Sequence, residues 1–361
     1  MYRIDKPDGV AVIYCEGCYG NTYGKTAHGL VRSTSRYDVA AVLDSSWLCQ
    51  DAGQVLDGTP RGIPLVGDLS AGLEATELTG KRATHLVIGM APDGGQLDDR
   101  ARSTVLEAID SGLNVDCGLH TFLNEDVEIS EAAFDAGVRL RDVRMPPPRK
   151  KLHFFSGKID EVGATVVALL GTDSAVGKRT TAVLLAEALL AAGISTSVVG
   201  TGQTAWLQGF RHTIVLDSLV NDFVAGELEH AVWNAWQDGN PDIILVEGQG
   251  SLMHPAYPGG FEILAATRPT ATILQHAPAR LEYDGFPGHP IPAVSRHVAA
   301  IELIAPTRVV AVTLNAESLD TTQATEASAR LATETGLPVV NPLGDEIHRL
   351  VEVLADLHPK R

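Results

Sequence analysis

A glycine-rich loop between a buried strand and a helix constrains this chain more than any other feature. The loop reads Gly171-Thr172-Asp173-Ser174-Ala175-Val176-Gly177-Lys178-Arg179-Thr180-Thr181. An apolar run over 164–170 precedes it and a helical pattern over 178–192 follows it, which is the context that a phosphate-binding loop requires. Glycines let successive backbone N–H groups point inward, and the helix start and Lys178 add positive charge. The loop therefore predicts a diphosphate site in an α/β domain.

The carboxy-terminal half of the chain alternates short apolar runs with helical patterns. Beyond the loop, the apolar runs lie at 196–199, 242–246, 270–274, 308–314 and 338–341. The helical patterns cover 220–237, 317–335 and 345–357. Short buried strands that alternate with helices predict a parallel sheet covered by helices. Ligands of such sheets bind beyond the carboxyl ends of the strands.

The amino-terminal half shows the same alternation and ends in a proline-rich stretch. Its apolar runs lie at 10–15, 38–43, 84–90 and 114–117, and a helical pattern covers 98–111. Three prolines at 146–148 suit neither a helix nor a central strand, because proline lacks an N–H donor. We therefore predict an α/β domain over 1–145, a stiff linker over 146–152 and a doubly wound phosphate-loop domain over 153–361.

Composition limits the kinds of partner that we expect the protein to bind and the compartment in which we expect it. The 361 residues include 28 Lys and Arg against 45 Asp and Glu, for a net charge of −17. A surface this acidic repels nucleic acid and anionic lipid, so we expect a small-molecule substrate and neither of those partners. No apolar run is long enough to cross a bilayer, and the start, MYRIDKPDGV, lacks the pattern of a signal peptide. With four cysteines, we expect a cytoplasmic protein.

The loop departs twice from the common phosphate-loop pattern. Five residues separate Gly171 from Gly177, where four are usual. The stretch resembles the dethiobiotin synthetase-like branch of phosphate-loop proteins, which shares this spacing. Arg179 also occupies the position where Ser or Thr would bind Mg²⁺, although Thr180 and Thr181 follow at once. The second departure weakens the case for Mg²⁺-dependent hydrolysis and leaves anion binding intact.

A carboxylate at a strand end is the second candidate for chemistry. The buried run 242–246 leads directly to Glu247, followed by Gly248 and Gly250. If its strand neighbours the loop, Glu247 lies close to the bound anion. It could then hold Mg²⁺, orient a water or accept a proton from an amine. The alternative is a solvated carboxylate with no role in chemistry.

Other polar residues lie at or beyond predicted strand ends. His254 and His276 are candidates for acid–base groups, although a single histidine is more often structural. The amino-terminal turn ends in Gly24-Lys25-Thr26 before a helix. Lys25, Thr26 and the N–H groups of that helix could hold a carboxylate. The alternative is a tight turn that packs the helix on its strand.

The two halves together resemble the domain-of-unknown-function 1611 family, over nearly the whole chain. The matching stretches are GKTAHGLVR (24–32), DVAAVLD (38–44), VIGMAPDGG (87–95), SGLNVDCGLHTFL (111–123), DVRMPP (142–147), GTDSAVGKRTTA (171–182), GTGQT (200–204) and ILVEGQGSLMHPAY (244–257). The resemblance implies an amino-terminal Rossmann-like domain joined to a phosphate-loop domain. Some members of that family look like D-glutamate N-acetyltransferases, which move acetyl from acetyl-CoA to the amine of D-glutamate.

Our preferred function is a coenzyme-A-dependent amino-acid N-acetyltransferase. Coenzyme A carries a pyrophosphate, so residues 171–181 could hold acetyl-CoA without a metal. The candidates for the base that deprotonates the amine are Glu247, Asp173 and His254, in that order. One alternative is an ATP- and Mg²⁺-dependent ligase or kinase similar to dethiobiotin synthetase, with Thr180 or Thr181 and Glu247 around the metal. The other is a nucleotide-binding protein without catalysis.

The acceptor residues are predicted from the need to bind two carboxylates. The cationic candidates are Lys25, Arg32 and Arg144, and the polar candidates are Thr26 and Gln203. A local basic cleft of this kind is compatible with a protein of net charge −17. We also expect a homo-oligomer.

Overall fold

The structure is a computed structural model that describes residues 2–344 and 346–357. The chain forms two compact units. The amino-terminal unit comprises Arg3–Pro146 and Gln203–Phe210, and the carboxy-terminal unit comprises Tyr2, Pro147–Gly202 and the chain from Arg211 onward. The sequence assigns 203–210 to the second domain, whereas here this segment packs in the amino-terminal unit. Asp345, in the predicted closing helix, and 358–361, in the predicted second domain, lie outside the described residues.

Residues 3–146 form a parallel sheet with its connecting helices. The strands are β1 (Gly9–Tyr14), β2 (Tyr37–Leu43), β3 (Leu65–Val66), β4 (His85–Ile88), β5 (Asn114–Cys117) and β6 (Leu140–Asp142). The helices are α1 (Lys25–Arg32), α2 (Ala52–Asp57), α3 (Leu69–Leu78), α4 (Asp99–Asp110) and α5 (Val127–Ala136). The strand order is β3-β2-β1-β4-β5-β6, which is the order of a Rossmann fold.

The remaining chain forms a second parallel sheet. Its strands are β7 (Thr165–Gly171), β8 (Thr196–Gly200), β9 (His212–Thr213), β10 (Ile243–Glu247), β11 (Ala271–His276), β12 (Arg308–Leu314) and β13 (Val339–Val340). The helices are α6 (Lys178–Ala191), α7 (Gln203–Leu207), α8 (Asn221–Gly239), α9 (Phe261–Thr267), α10 (Val294–Ile304), α11 (Thr321–Thr335) and α12 (Ile347–Ala355). Helix α7 belongs to the amino-terminal unit. The strand order is β13-β12-β11-β7-β10-β8-β9. These two parallel sheets confirm the predicted fold class.

Strand β7 lies inside its sheet, and this placement defines the candidate site. It pairs in parallel with β10 on one side and β11 on the other. Val166, Val167, Ala168, Leu169 and Leu170 are all buried, because both faces of an inner strand of such a sheet are covered by helices. The carboxyl ends of β7, β10 and β11 therefore meet at one edge of the sheet.

Five helices start with a capping aspartate. The side chains of Asp51, Asp68, Asp98, Asp126 and Asp320 each accept a hydrogen bond from a backbone N–H in the first turn of α2, α3, α4, α5 and α11. A carboxylate at this position satisfies an N–H that the helix cannot, and it lies at the positive end of the helix dipole. Among the described residues, no helix is long and apolar enough to cross a membrane.

Candidate functional site

The loop between β7 and α6 curls back on itself. Ala175 and Gly177 both have left-handed backbones, with φ of 49° and 101°. For Ala175 this is unusual, since left-handed φ brings its Cβ close to the backbone. Alternation of this conformation with ordinary backbone turns successive N–H groups toward one concavity, which favours anions.

Backbone N–H groups line this concavity. Within the described part of the chain, the structure records no hydrogen-bond acceptor for the N–H groups of Ala175, Val176 and Gly177. Helix α6 starts at the next residue, with Gly177 as its N-cap and no side-chain cap. The N-terminus of a 14-residue helix adds partial positive charge at the same place. The loop thus has the geometry of an anion site.

The ammonium group of Lys178 bridges two loops of the carboxy-terminal unit. Its Nζ donates to the backbone oxygen of Asp173 at 2.8 Å and to that of Gly250 at 2.9 Å. The side chain is buried. This places a full positive charge between the loop after β7 and the loop after β10.

Asp173 is part of the loop, and both of its carboxylate oxygens are occupied. Oδ1 accepts from the N–H of Ser174 at 2.6 Å and lies 3.3 Å from Nε2 of His254. Oδ2 accepts from Nη1 of Arg280 and from the N–H of Asp284, each at 3.1 Å. The side chain is fully buried. This arrangement suits a residue that holds the loop, and Asp173 as the catalytic base stays a prediction.

Arg280 also contacts the loop between β7 and α6. Besides Asp173, its Nη1 donates to the backbone oxygen of Ser174 at 3.0 Å, while Nε and Nη2 both donate to the carboxylate of Glu317. A guanidinium that makes two parallel bonds to a carboxylate has little rotational freedom. Arg280 therefore connects the phosphate-type loop to the segment that follows β12.

His254 is enclosed rather than exposed. Its Nδ1 accepts from the N–H groups of Ala256 and Tyr257, at 3.1 and 2.9 Å, so the ring proton of the neutral form is on Nε2. That atom is close to Asp173 but off the line of a hydrogen bond. The rings of Tyr257, Tyr283 and Phe286 surround it. Burial lowers the pKa of His254, and Asp173 opposes that change. Its geometry favours a structural role.

Glu247 is the candidate base with the most suitable environment. It ends β10, beside Leu169 of β7 in the parallel register. Oε1 lies 3.9 Å from Nη1 of Arg179, and Oε2 accepts from the N–H of Thr201 at 3.4 Å. Burial raises the pKa of the Glu247 carboxyl, while Arg179, the Thr201 N–H and Lys178 oppose that rise. A carboxyl whose pKa is shifted toward neutrality is a better proton acceptor.

The hydroxyls that flank the loop contact the sheet beneath. Thr181 donates to Oε1 of Gln275 at 2.6 Å, and Thr313 donates to the same oxygen. The hydroxyl of Thr172 is 2.8 Å from Nδ1 of His276, whose pKa burial lowers to about 4. Thr181 is therefore turned toward the strands. Among the described residues, no group of three or more His, Cys, Asp or Glu is placed to hold a metal.

The predicted acceptor residues of the amino-terminal unit fall into two places. Three lie near the carboxyl end of β5: Nε of Arg144 donates to the backbone oxygen of Gly118 at 2.6 Å, and the side chain of Gln203 packs against the same glycine. Thr26 joins them through its hydroxyl, 2.8 Å from that of Thr204.

The other two predicted acceptor residues lie at opposite ends of α1. Lys25 is the first residue of this helix and is exposed, whereas Arg32 is the last. Arg32 pairs there with Asp57 at 3.3 Å. Seven residues of helical rise separate the two, or about 10 Å, so the structure does not bring them together.

Family models match most of the chain. A model described as the domain of unknown function (DUF1611_C) P-loop domain matches residues 153–351, and one described as the DUF1611_N Rossmann-like domain matches 49–146. The chain belongs to the DUF1611 family. The DUF1611 models thus confirm both the family and the two domain types expected from the sequence.

Two named relatives of this DUF1611 chain share one name. A D-glutamate N-acetyltransferase of Tritonibacter scottomollicae is 31% identical over 79% of this chain and 86% of its own length. A protein of the same name from Pseudoalteromonas sp. is 31% identical over 74% of this chain and 80% of its own. A crystal structure of a DUF1611 family protein from Anabaena variabilis has a TM-score of 0.86, with 29% identity over 96% of this chain and 99% of that one.

Two features of the DUF1611 chain escaped sequence analysis. Arg280 and Glu317 lie beyond β11 and β12, and their only signal is that strand-end position. The second is a stack in which the guanidinium of Arg36 lies 3.7 Å from the ring centre of Trp206, and that of Arg141 4.8 Å. Arg36 Nε also donates to the backbone oxygen of Trp206 at 2.7 Å. Nothing in the local sequence around Trp206 indicates this partner, since the contact spans 170 residues.

Proposed function

We propose that this protein is an N-acetyltransferase that moves the acetyl group of acetyl-CoA to the amine of D-glutamate or a similar acidic amino acid. The observation that carries the proposal is the pairing of an anion cradle with a buried carboxylate on the neighbouring strand. The cradle is the run of N–H groups at 175–177 beside Lys178, and the carboxylate is Glu247. The names of the relatives from Tritonibacter and Pseudoalteromonas support the same activity.

The cradle suits the donor. Acetyl-CoA supplies an activated thioester, and its pyrophosphate is the part that a curl of N–H groups and an ammonium would hold. Arg179 adds a second cation at the helix start, where many phosphate loops have a metal-binding hydroxyl. Because the cradle acts by binding alone, it needs no phosphoryl chemistry. Residues 171–181 are thus the donor-binding set.

Glu247 is the base in this proposal. An amine at neutral pH is mostly protonated, so it must lose a proton before its nitrogen can attack the thioester carbonyl carbon. The carboxylate of Glu247 takes that proton. The new C–N bond forms as the C–S bond breaks, and the sulfur leaves with the electron pair. The nitrogen then loses a second proton, which the sulfur takes up, and Glu247 releases the first proton to solvent. The products are the N-acetyl amino acid, the free thiol and one proton, so atoms and charge balance.

The acceptor set is proposed for the amino-terminal unit. Arg144, Gln203 and Thr26 share one neighbourhood near Gly118, and Lys25 is adjacent in sequence to Thr26. A guanidinium and an ammonium are the groups expected to bind two carboxylates. Arg32 is the weakest member of the predicted set, because Asp57 already neutralises it.

The alternative, ATP with Mg²⁺, has less support from the side chains. The hydroxyl of Thr181 donates to Gln275, away from the cradle. Glu247 has the cation Arg179 beside it at 3.9 Å, a poor setting for a divalent ion. Thr180 is then the remaining hydroxyl at the helix start, so we derive no metal-dependent step.

One assay separates the proposed function from the alternative. The protein is given D-glutamate or L-glutamate with acetyl-CoA, and in parallel with Mg²⁺ and ATP, while free thiol and ADP are followed. We expect thiol release that depends on D-glutamate and is lost in Glu247→Gln. The matched control Glu326→Gln changes an exposed glutamate of α11 and should behave as wild type. ADP release without thiol release would establish the alternative, and silence in both arms would overturn the proposal.

A further inference from the structure

Arg280 approaches the loop between β7 and α6 from the side of its backbone oxygens. Nη1 donates to the oxygen of Ser174 at 3.0 Å, and Nη2 lies 3.5 Å from the oxygen of Ala175. In a trans peptide unit, the C=O of one residue and the N–H of the next point in opposite directions. The N–H groups of Ala175 and Val176 therefore point away from the guanidinium. Both of these N–H groups belong to the cradle.

The backbone of Ala175 makes this orientation of the loop unfavourable without support. Its φ of 49° is left-handed, and in that conformation the Cβ of an L-residue crowds the backbone. The crowding is relieved when the peptide plane between Ser174 and Ala175 turns over, because φ of Ala175 then becomes negative. The Ser174 oxygen would then point into the cradle and the Ala175 N–H out of it. A carbonyl oxygen in that place would repel an anion.

The guanidinium of Arg280 is fixed by the segment that follows β12. Nε and Nη2 both donate to the carboxylate of Glu317, and Oε2 of that carboxylate also accepts from Nδ2 of Asn315 at 3.0 Å. A guanidinium that makes two parallel bonds on one edge presents its remaining N–H groups in one direction. Here that direction is toward the loop, where Nη1 also donates to Asp173 at 3.1 Å.

The residues that support the loop come from neighbouring strand ends. The N–H of Arg280, in the turn after β11, donates to the oxygen of Ala277 at 3.0 Å. The N–H of Asn315, directly after β12, donates to the oxygen of His276 at 2.8 Å. Strand β11 lies between β7 and β12. The position of the guanidinium is thus set by the sheet and not by the loop that it contacts.

We propose that Arg280 is a positioning residue, which holds the backbone oxygens of Ser174 and Ala175 and thereby keeps the N–H groups of the cradle directed at the diphosphate of the donor. The inference rests on the proposed function for the identity of that donor, and it adds the residue that sets the affinity of the anion site. The contacts described above use all five N–H groups of the guanidinium. Arg280 therefore acts through the backbone and has no N–H left for the ligand.

The test measures the binding of inorganic pyrophosphate by calorimetry, with coenzyme A and ATP in parallel. Arg280→Gln removes the guanidinium, so the loop is free to adopt the conformation in which a carbonyl oxygen points into the cradle. We expect its affinity for pyrophosphate to fall by about 5- to 30-fold, the population factor that the left-handed conformation of one non-glycine residue represents. The matched control Arg308→Gln changes an exposed arginine at the start of β12 and should bind as wild type.

Ala175→Gly supplies a readout that a merely structural arginine would not change. Glycine adopts left-handed φ without crowding, so the double variant with Arg280→Gln should bind pyrophosphate within about twofold of wild type. Ala175→Gly alone should also stay within about twofold. If thermal melting shows that Arg280→Gln does not fold, Glu317→Gln replaces it. That variant keeps Arg280 but loosens its guanidinium, and we expect a smaller loss of affinity with the same restoration by Ala175→Gly.

The outcomes separate this inference from the proposed function. If Arg280→Gln binds pyrophosphate as wild type does, while Lys178→Met does not, the inference is wrong but the donor site stands. If Arg280→Gln loses affinity and Ala175→Gly fails to restore it, the inference is also wrong. If wild type binds pyrophosphate and ATP but not coenzyme A, and Ala175→Gly restores the affinity lost in Arg280→Gln, the inference is upheld and the acetyl-CoA proposal fails. If wild type binds none of the three ligands, both fail.

Discussion

Replacing Glu247 by Gln separates the chemistry proposed for this carboxyl from its effect on stability. The substitution keeps the size of the side chain and removes its ability to accept a proton. Glu247 is buried, with the Thr201 N–H and Arg179 as its polar neighbours. Gln can still accept from the Thr201 N–H, so the local packing should survive.

The expected loss of rate is large. A positioned general base contributes about 10²- to 10⁴-fold, which corresponds to roughly 3–5 kcal/mol of transition-state stabilisation. In the wild type, kcat/KM should fall as pH drops through the raised pKa of Glu247, because only the ionised carboxylate accepts a proton. That acidic limb should be absent from the residual activity of Glu247→Gln.

Although Glu247→Gln should lower the rate, it should raise the stability of the folded protein. Burial raises the pKa of Glu247 in the folded state, so its favourable contribution is complete below the pKa of the unfolded chain and is lost as pH rises through the folded pKa. Each unit of such a rise costs about 1.4 kcal/mol once the group is ionised. Glu247→Gln should therefore match wild type near pH 4 and be more stable above neutrality.

Steady-state rates and thermal melting across pH 4–9 test both parts together. Glu326→Gln, at an exposed glutamate, controls for the loss of one charge from a protein of net charge −17. Turnover by Glu247→Gln within a factor of a few of wild type would refute the role as base. A lower melting temperature than wild type at pH 8 would refute the claim that burial of this charge is costly.

Three further perturbations test the loop, the turn beside it and the stack in the amino-terminal unit. Lys178→Met should weaken coenzyme A binding by about 1.5–3 kcal/mol, the value of a hydrogen bond to a charged group. Calorimetry measures this affinity, and Lys150→Met is the exposed control. An unchanged affinity in Lys178→Met would show that Lys178 is not part of the site. Gly250→Ala should lower the free energy of unfolding by about 2 kcal/mol or more, because Gly250 has φ of 47° and an added Cβ would lie 2.0 Å from a backbone oxygen. In the same denaturant titration the control Gly239→Ala should be tolerated, since its Cβ would meet nothing within 4 Å. Trp206→Ala should destabilise the amino-terminal unit by about 1–2 kcal/mol for each guanidinium that loses its stacking contact. Hydrogen exchange would detect this as a loss of protection in 203–210, and Trp206→Phe should restore most of the protection. Equal protection in all three proteins would contradict the stacking argument.

Strand positions were predictable because buried parallel strands are short, continuous and apolar. The predicted runs 114–117 and 308–314 coincide with β5 and β12, and most others differ by one or two residues at an end. The helix predicted over 317–335 begins instead at Thr321, because Asp320 caps it. The two-residue strands β3, β9 and β13 depend on pairing with a neighbour, and of these only β13 was expected from an apolar run.

The parts of the site that were predictable are those whose chemically important residues lie close together in the sequence. The loop 171–181 combines glycines, a helix start and a lysine within one stretch, and Glu247 follows a buried strand. Arg280 was not predictable, since its partners Asp173 and Glu317 are 107 and 37 residues away. The enclosure of His254 depends in the same way on Tyr283 and Phe286, from a distant loop. Contacts of this kind follow from the fold and leave no local pattern.

The segment Gln203–Phe210 limits how this protein can be divided. The chain passes from one unit to the other after Tyr2, Pro146, Gly202 and Phe210. A gene fragment that ends at Pro146 would encode the whole amino-terminal sheet yet omit the helix whose Trp206 stacks on Arg36. Recombination at the proline-rich stretch would thus produce a half with an uncovered face. A design that separates the two units would therefore have to supply Gln203–Phe210 to the amino-terminal one.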